Sequence, residues 1–300
     1  MVSVIDLKTN TILTNIAVSE RPWGVGVHPD AKKVYITHSS TFKVSVIDVE
    51  SNTVESIIDL EGIDPNNIDA GFNPIGIAFN TDGSRLYVTS ASSDNVIEIN
   101  TATNAVLNII PVGSTPTNIA LSPDDSKMYV VNQNDNSVSV INTNTGASIS
   151  TINVQETPVD VAISADGTKV YVSNREGLGN NVTKGAISII DISSNTVVET
   201  VFTDTQRAAE MAVHPSGNLY TQHGNSDGTL SRMEPANGNN LIYYDIESGV
   251  ANALNGLDIK EDGSRLYLTE GNDKVIIINP MPNTDVTSIP VANISRVNGN

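Results

Sequence analysis

Apolar residues along this chain come in short runs, and the runs recur. The most regular are built around a tyrosine: Val34-Tyr35-Ile36-Thr37, Leu86-Tyr87-Val88-Thr89, Met128-Tyr129-Val130-Val131, Val170-Tyr171-Val172-Ser173, Leu219-Tyr220-Thr221-Gln222 and Leu266-Tyr267-Leu268-Thr269. These six tyrosines, of eight in the chain, stand 52, 42, 42, 49 and 47 residues apart. Turns such as Asp82-Gly83, Asp166-Gly167 and Asp262-Gly263 precede them. Asp-Gly between two apolar runs signals a hairpin, because both residues tolerate positive φ. A second β-branched run follows each tyrosine and also stands once before the first: residues 2–6, 44–48, 96–100, 138–142, 187–191, 241–245 and 275–279. A turn such as Ser51-Asn52 or Ser194-Asn195 comes next, then another strand, as at 53–57 and 196–200. Asn and Asp suit these turns because their side chains bond the nearby backbone. No helical period competes with this pattern.

Each unit therefore reads as four strands, A to D, as at 74–79, 85–89, 96–100 and 105–109. Four strands per repeat of about 40–50 residues predict a β-propeller blade. A sandwich would not repeat so regularly, and β-helix repeats are shorter. Seven C–D hairpins but only six A–B hairpins are present. The expected fold is thus all-β: a β-propeller of four-stranded blades, seven-bladed with one blade incomplete, six full blades plus an extra N-terminal hairpin at 2–18. Residues 292–300 align with 19–27 and would supply one A strand but no B strand. Residues 1–300 then read as a single propeller domain, and as a piece of a longer chain.

The stretch from Pro116-Thr117-Asn118-Ile119-Ala120 through Ser137-Val138-Ser139-Val140-Ile141-Asn142 resembles the YVTN family of β-propellers, known from archaeal and bacterial surface-layer proteins, and the likeness runs over nearly the whole chain. The resemblance implies a cell-surface or extracellular setting. It implies no single activity, because that family's functions are diverse. It also implies that D–A and B–C connections share one face and that strand A lines a central channel.

Composition narrows the function. With 16 basic and 34 acidic residues the net charge is −18, so no nucleic-acid partner is expected, nor docking on anionic membranes. Without cysteine there is no thiolate nucleophile, zinc–thiolate site or Fe–S cluster. No run of ~18 apolar residues would insert in a membrane. Residues 1–6 are not a signal peptide, so an exported protein would carry its signal outside this chain. Nucleophile-elbow, P-loop and His-Glu-x-x-His motifs are missing, and Gly177-Leu178-Gly179 is no dinucleotide fingerprint.

Departures from the repeat mark candidate chemistry. Within strand A, Val25, Ile77, Ile119, Val161, Met211 and Leu257 should pack between sheets, and the alternate residues should face the channel. Three of those are acids, Asp160, Glu210 and Asp258, which would share a narrow space. Either neighbouring amides and water satisfy each one, or together they hold a divalent cation such as Ca²⁺, the one cofactor the sequence suggests. Long insertions at 61–72, 175–185 and 223–240 fall on one face, where a rigid scaffold would present a protein or glycan partner. Residues 64–69 hold oxygen ligands without calcium-loop spacing. Arg21 and Arg207 occupy equivalent places just before strand A, His38 and His223 equivalent places at the end of strand B, with Trp23 and Glu270 nearby. These six would bind an anionic or polyhydroxylated ligand, or serve acid–base chemistry. His28 and His214 belong to His-Pro turns on the opposite face and read as structural. The leading expectation is a non-enzymatic binding or scaffold propeller. The alternative is a lactonase- or lyase-type enzyme with a divalent cation at the channel mouth. A redox-enzyme subunit ranks third, for want of a haem or copper motif.

Overall fold

The computed structural model describes the chain except residues 63–72, 177–183, 205–206, 224–228, 246–253, 271–273, 281–285 and 291–300. Two strands, β1 (Val2–Asp6) and β2 (Thr11–Ile16), form a hairpin. Six four-stranded antiparallel blades follow. Blade one is β3 (Pro22–Val27), β4 (Lys33–His38), β5 (Lys43–Asp48) and β6 (Thr53–Asp59). Blade two is β7 (Pro74–Phe79), β8 (Arg85–Ser90), β9 (Asn95–Asn100) and β10 (Val106–Pro111). Blade three is β11 (Pro116–Leu121), β12 (Lys127–Asn132), β13 (Ser137–Asn142) and β14 (Ser148–Asn153). Blade four is β15 (Pro158–Ile163), β16 (Lys169–Asn174), β17 (Ala186–Asp191) and β18 (Thr196–Phe202). Blade five is β19 (Ala208–Val213), β20 (Leu219–His223), β21 (Thr229–Glu234) and β22 (Asn240–Asp245). Blade six is β23 (Leu254–Ile259), β24 (Leu266–Glu270), β25 (Lys274–Ile278) and β26 (Val286–Pro290). Among the described residues the one helical element is a 3₁₀ turn at Pro235–Asn237. The molecule is an all-β propeller, and its first strands run side by side in the order β3, β7, β11, β15, β19, β23.

Left-handed residues place the turns. Asn10, Asn52, Asn104, Asn195 and Asn239 hold φ of 53–58° just before the fourth strand, a conformation that asparagine tolerates better than most residues. Between the first two strands Gly83, Gly167, Gly217 and Gly263 play that part, with φ of 69–93°. Aspartates brace the same turns by accepting backbone N–H bonds two residues on, as Asp30 does from Lys32, Asp82 from Ser84, Asp124 from Ser126, Asp166 from Thr168 and Asp262 from Ser264. Part of the acidic balance is therefore turn chemistry.

The core lies between blades. Tyr35, Tyr87, Tyr129, Tyr171 and Tyr220 are buried. One face of blade three (Tyr129, Val131, Val138, Val140) packs on Val161, Val170, Val172 and Ile190 of blade four, and the pattern repeats around the ring. His28 Nε2 bonds the Gly83 carbonyl at 2.9 Å and His214 Nε2 that of Gly263 at 3.1 Å, so both histidines tie a turn of the next blade.

Two expectations for strand A need correction. Ile119, Val161 and Met211 are buried, at 4, 6 and 7% exposure, but the equivalent Val25 is 61% exposed. The hairpin β1–β2 packs through Ile16, Val2, Val4 and Val18 on Ile36 and Ile47 of blade one, which covers the middle of that face and leaves β3 bare. Gly24 and Gly76 do not simply line an open channel. A Cβ on Gly24 would stand 2.3 Å from the Ile75 carbonyl oxygen, and one on Gly76 would stand 2.6 Å from that of Thr117. The inner strands converge there, and only glycine allows the approach.

Candidate functional site

In blades one, three, four and five the residue before the inner strand sits in one recurrent turn. Arg21, Thr115, Thr157 and Arg207 all have positive φ, 48–61°. The first three of these carbonyls accept from the residue just past the second strand: Ser39 N–H bonds Arg21 O at 3.0 Å, Gln133 bonds Thr115 at 3.0 Å and Arg175 bonds Thr157 at 3.0 Å. A rare backbone conformation is held here by the repeat, and Arg21 and Arg207 project exposed side chains from it in blades one and five. Trp23 is exposed on β3. Sequence reasoning passed over Arg175: its amide follows the rule just given, and its carbonyl accepts the Arg207 N–H at 3.1 Å. Two arginines thus meet at the boundary of blades four and five on an acidic molecule. Its place directly after Asn174, inside an insertion, was the available signal.

His38 and His223 stand apart from that surface. Both are fully buried. His38 donates through Nδ1 to the Glu20 carbonyl at 3.1 Å and accepts at Nε2 from Ser45 Oγ at 2.8 Å. His223 Nε2 bonds Ser231 Oγ at 2.8 Å, and its Nδ1 has no partner among the described residues. Asn132 and Asn174 fill the same place in blades three and four, bonding Ser139 at 2.9 Å and Ser188 at 3.1 Å. Each histidine therefore does an asparagine's work inside a blade. Burial lowers both pKa values, that of His223 to about 4, so both imidazoles are neutral at pH 7. The structure does not bring them to one depression with Arg21 and Arg207. The side chain of Glu270, and most of the three insertions including residues 64–69, lie outside the described residues.

The inner-strand acids divide in the same way. In most blades the register between the first two strands slips near the start of the first, which frees a backbone N–H. Gly24 and Gly76 give theirs to Thr37 and Thr89 Oγ1, both at 2.8 Å. In blades three and four the side chain at the slip does this itself: Asn118 Oδ1 accepts Ile119 N–H at 2.9 Å, and Asp160 Oδ1 accepts Val161 N–H at 2.8 Å. Asp160 also takes Asn118 Nδ2 from blade three and, at 2.7 Å, Met211 N–H from blade five. It is buried and clamps three blades.

Glu210 precedes Met211 and lies beside Asp160. Burial raises both carboxyls, and the Asp160 charge raises Glu210 further, with Arg175 pulling the other way. Three N–H donors favour ionised Asp160 and none is seen on Glu210, so Asp160 carries the charge and Glu210 the proton. Asp258 accepts its neighbour's N–H from Ile259 at 2.7 Å, remains in contact with water, and feels no charge from the other two. Among the described residues no three His, Asp or Glu groups converge as metal ligands. Two carboxylates, one of them saturated with N–H donors, do not make the six to eight oxygens of a Ca²⁺ site. The described acids fit an interblade clamp.

The comparisons with known proteins agree on the architecture. Residues 22–151, the first three blades, match the family described as Lactonase, 7-bladed beta-propeller. No curated protein matches the chain. Among solved structures it is similar to the hydrazine synthase of Kuenenia stuttgartiensis, with TM-score 0.75, 21% identity, 89% of this chain and 79% of that chain covered. It is also similar to the Cps50 (Swd1) β-propeller domain of Myceliophteria thermophila, with TM-score 0.74, 11% identity, 94% of this chain and 90% of that chain covered. At such identities the likeness is one of fold.

Proposed function

We propose that this protein is a non-enzymatic propeller of the cell surface or extracellular space that presents its D–A and B–C connections to a protein or glycan partner. The observation that carries the reading is the fate of the two histidines. His38 and His223 are buried and hydrogen-bonded where other blades use asparagine, so neither imidazole reaches a molecule bound on that face. Amid exposed acids such as Glu20, Asp135, Glu176 and Asp204, that face also exposes Arg21, Trp23, Arg175 and Arg207. Such groups suit an anionic or polyhydroxylated surface, through bidentate arginine contacts and stacking on the indole. Binding of an anionic glycan panel by the wild type, and its loss in Arg175→Ala with Arg207→Ala, tests the reading. Unchanged binding in that double variant overturns it.

One observation favours a second reading, a lactonase-type enzyme: the family match over residues 22–151. Asp160, Glu210 and Asp258 lie beyond the matched part. Turnover of a lactone panel in the presence of Ca²⁺, abolished by chelation, would favour the enzyme. No turnover with or without the cation keeps the binding reading.

A further inference from the structure

The outer edges of the hairpin and of blades one to four share one irregularity. β2, β6, β10, β14 and β18 each stand last in their sheets. In each the register skips a single residue at the same place: Leu13, Glu55, Leu107, Ile149 and Val198. Two residues of the outer strand then face one of its neighbour, which is the count of a β-bulge. All five skipped residues are exposed. Beyond the bulge the pairing runs unbroken over only three or four residues, 14–16, 56–59, 108–111, 150–153 and 199–202. The core has no use for the extra residue. Ile149 and Val198 are 44 and 53% exposed. Without Ile149, Ser148 would still oppose Ile141 and Ser150 would still oppose Val140, so no side chain would change faces.

We propose that these bulges are guards, which keep the outer edges from pairing with the edges of a second copy of this chain. A straight outer strand offers a row of backbone N–H and C=O groups to any extended strand. A bend within the row sets its two parts out of line, so an incoming strand can follow three or four residues, short of the five or six usual in sheets. Other defences are thin on these edges. None of the five strands carries lysine or arginine, and β2, β10 and β14 carry no charge at all. β10 ends in Pro111, but β14 has neither charge nor proline, so the bulge at Ile149 is its one guard. The fourth strands of blades five and six show the converse. Their register is unbroken, and they end in Asp245 and Pro290, a charge and a proline that serve the same end. The inference concerns the outer edges and is independent of the binding read for the turn-bearing face.

Deletion of Ile149 tests the guard, because it straightens β14 and moves no partner. Analytical ultracentrifugation of the full chain should show self-association tightened about tenfold over wild type, as the rejoined ladder gains backbone bonds to the second copy. Ile149→Ser keeps the bulge and removes the apolar group, so it should sediment as wild type does. Thr151 is exposed on the same strand. Thr151→Lys added to the deletion should return the protein to wild-type sedimentation, because an edge lysine takes over the guard. Circular dichroism and the urea midpoint report whether each variant folds. If the deletion of Ile149 does not fold, deletion of Leu107 puts the same question to β10. The proposal is overturned if a folded deletion variant associates no more than wild type. It is overturned equally if Ile149→Ser associates as strongly as the deletion, or if the lysine leaves the association unchanged. Failure of both deletion variants to fold overturns it too, by making the bulge a requirement of the blade itself.

Discussion

The backbone N–H of Met211 reaches Oδ2 of Asp160 at 2.7 Å, joining the inner strands of blades five and four. The other oxygen of the same carboxylate holds the slipped N–H of Val161 and the Asn118 amide of blade three. One buried charge thus serves three consecutive blades. Asp160→Ala should strand two backbone N–H groups and cost about 2–4 kcal/mol, read as a fall in the urea midpoint at unchanged slope. Asp160→Asn keeps one acceptor and should cost less. Equal stability for Asp160→Ala and wild type would show that water replaces the clamp.

Glu210 gives that clamp a pH dependence. Its folded pKa is raised above the ordinary glutamate value by burial and by the Asp160 charge, so the folded state binds more protons than the unfolded state once pH exceeds that ordinary value. Stability must then fall as pH rises from the carboxylate range toward neutrality. Glu210→Gln should remove this slope and gain on the order of 1 kcal/mol over wild type at about pH 8, with little gain at about pH 5. Parallel pH profiles for the two proteins would place the proton elsewhere.

His223 acts with the opposite sign. Its folded pKa is lowered to about 4 by burial, so between that value and the ordinary one near 6.5 the unfolded state binds the extra proton. Its contribution is present at neutral pH and is lost as pH falls through that window. His223→Asn, copying blades three and four, should keep a bond to Ser231 and flatten the acid limb of a melting-temperature profile. An acid limb as steep as wild type would mean that other groups set it.

The tyrosines anchor the ring from its interblade faces. Tyr129 is fully buried and its hydroxyl bonds Asn195 Oδ1 of blade four at 3.2 Å. Tyr129→Ala should cost about 3–5 kcal/mol in chemical denaturation, as large-to-small core changes do. A loss below about 1 kcal/mol would require the neighbouring blades to close over the gap.

Much of this was legible in the sequence because repeats make position readable. The strand at 74–79 matches β7 residue for residue, and the buried tyrosines lie where the spacing put them. Strand ends were less legible: the fourth strand of blade two runs Val106–Pro111 rather than 105–109, because a register slip beside Val106 moves the pairing. The site was less legible still. Equivalent repeat positions correctly place Arg21 with Arg207 and His38 with His223, but equivalence says nothing of depth. A side chain at the end of the second strand turns inward to a serine of the third, in one blade as Asn132 and in another as His38. Asp160 read as a channel group because alternation alone cannot reveal a register slip and the N–H it frees.

The glycines of the inner strands differ in what presses on them. A Cβ on Gly76 would meet the Thr117 carbonyl oxygen at 2.6 Å and the Asn118 Cα at 2.9 Å, both backbone atoms of the next blade. Neither φ nor helix propensity enters, so the whole penalty is overpacking, about 1–3 kcal/mol where backbone must move. At the equivalent Gly256 in blade six, the nearest atom to a Cβ among the described residues is Thr269 Oγ1 at 2.9 Å, followed by other side-chain atoms of Thr269. A hydroxyl can rotate away where a carbonyl of a packed strand cannot. Gly76→Ala should therefore lower the urea midpoint clearly, while Gly256→Ala should stay within about 1 kcal/mol of wild type. If the two cost the same, backbone presses on Gly256 as closely as it does on Gly76.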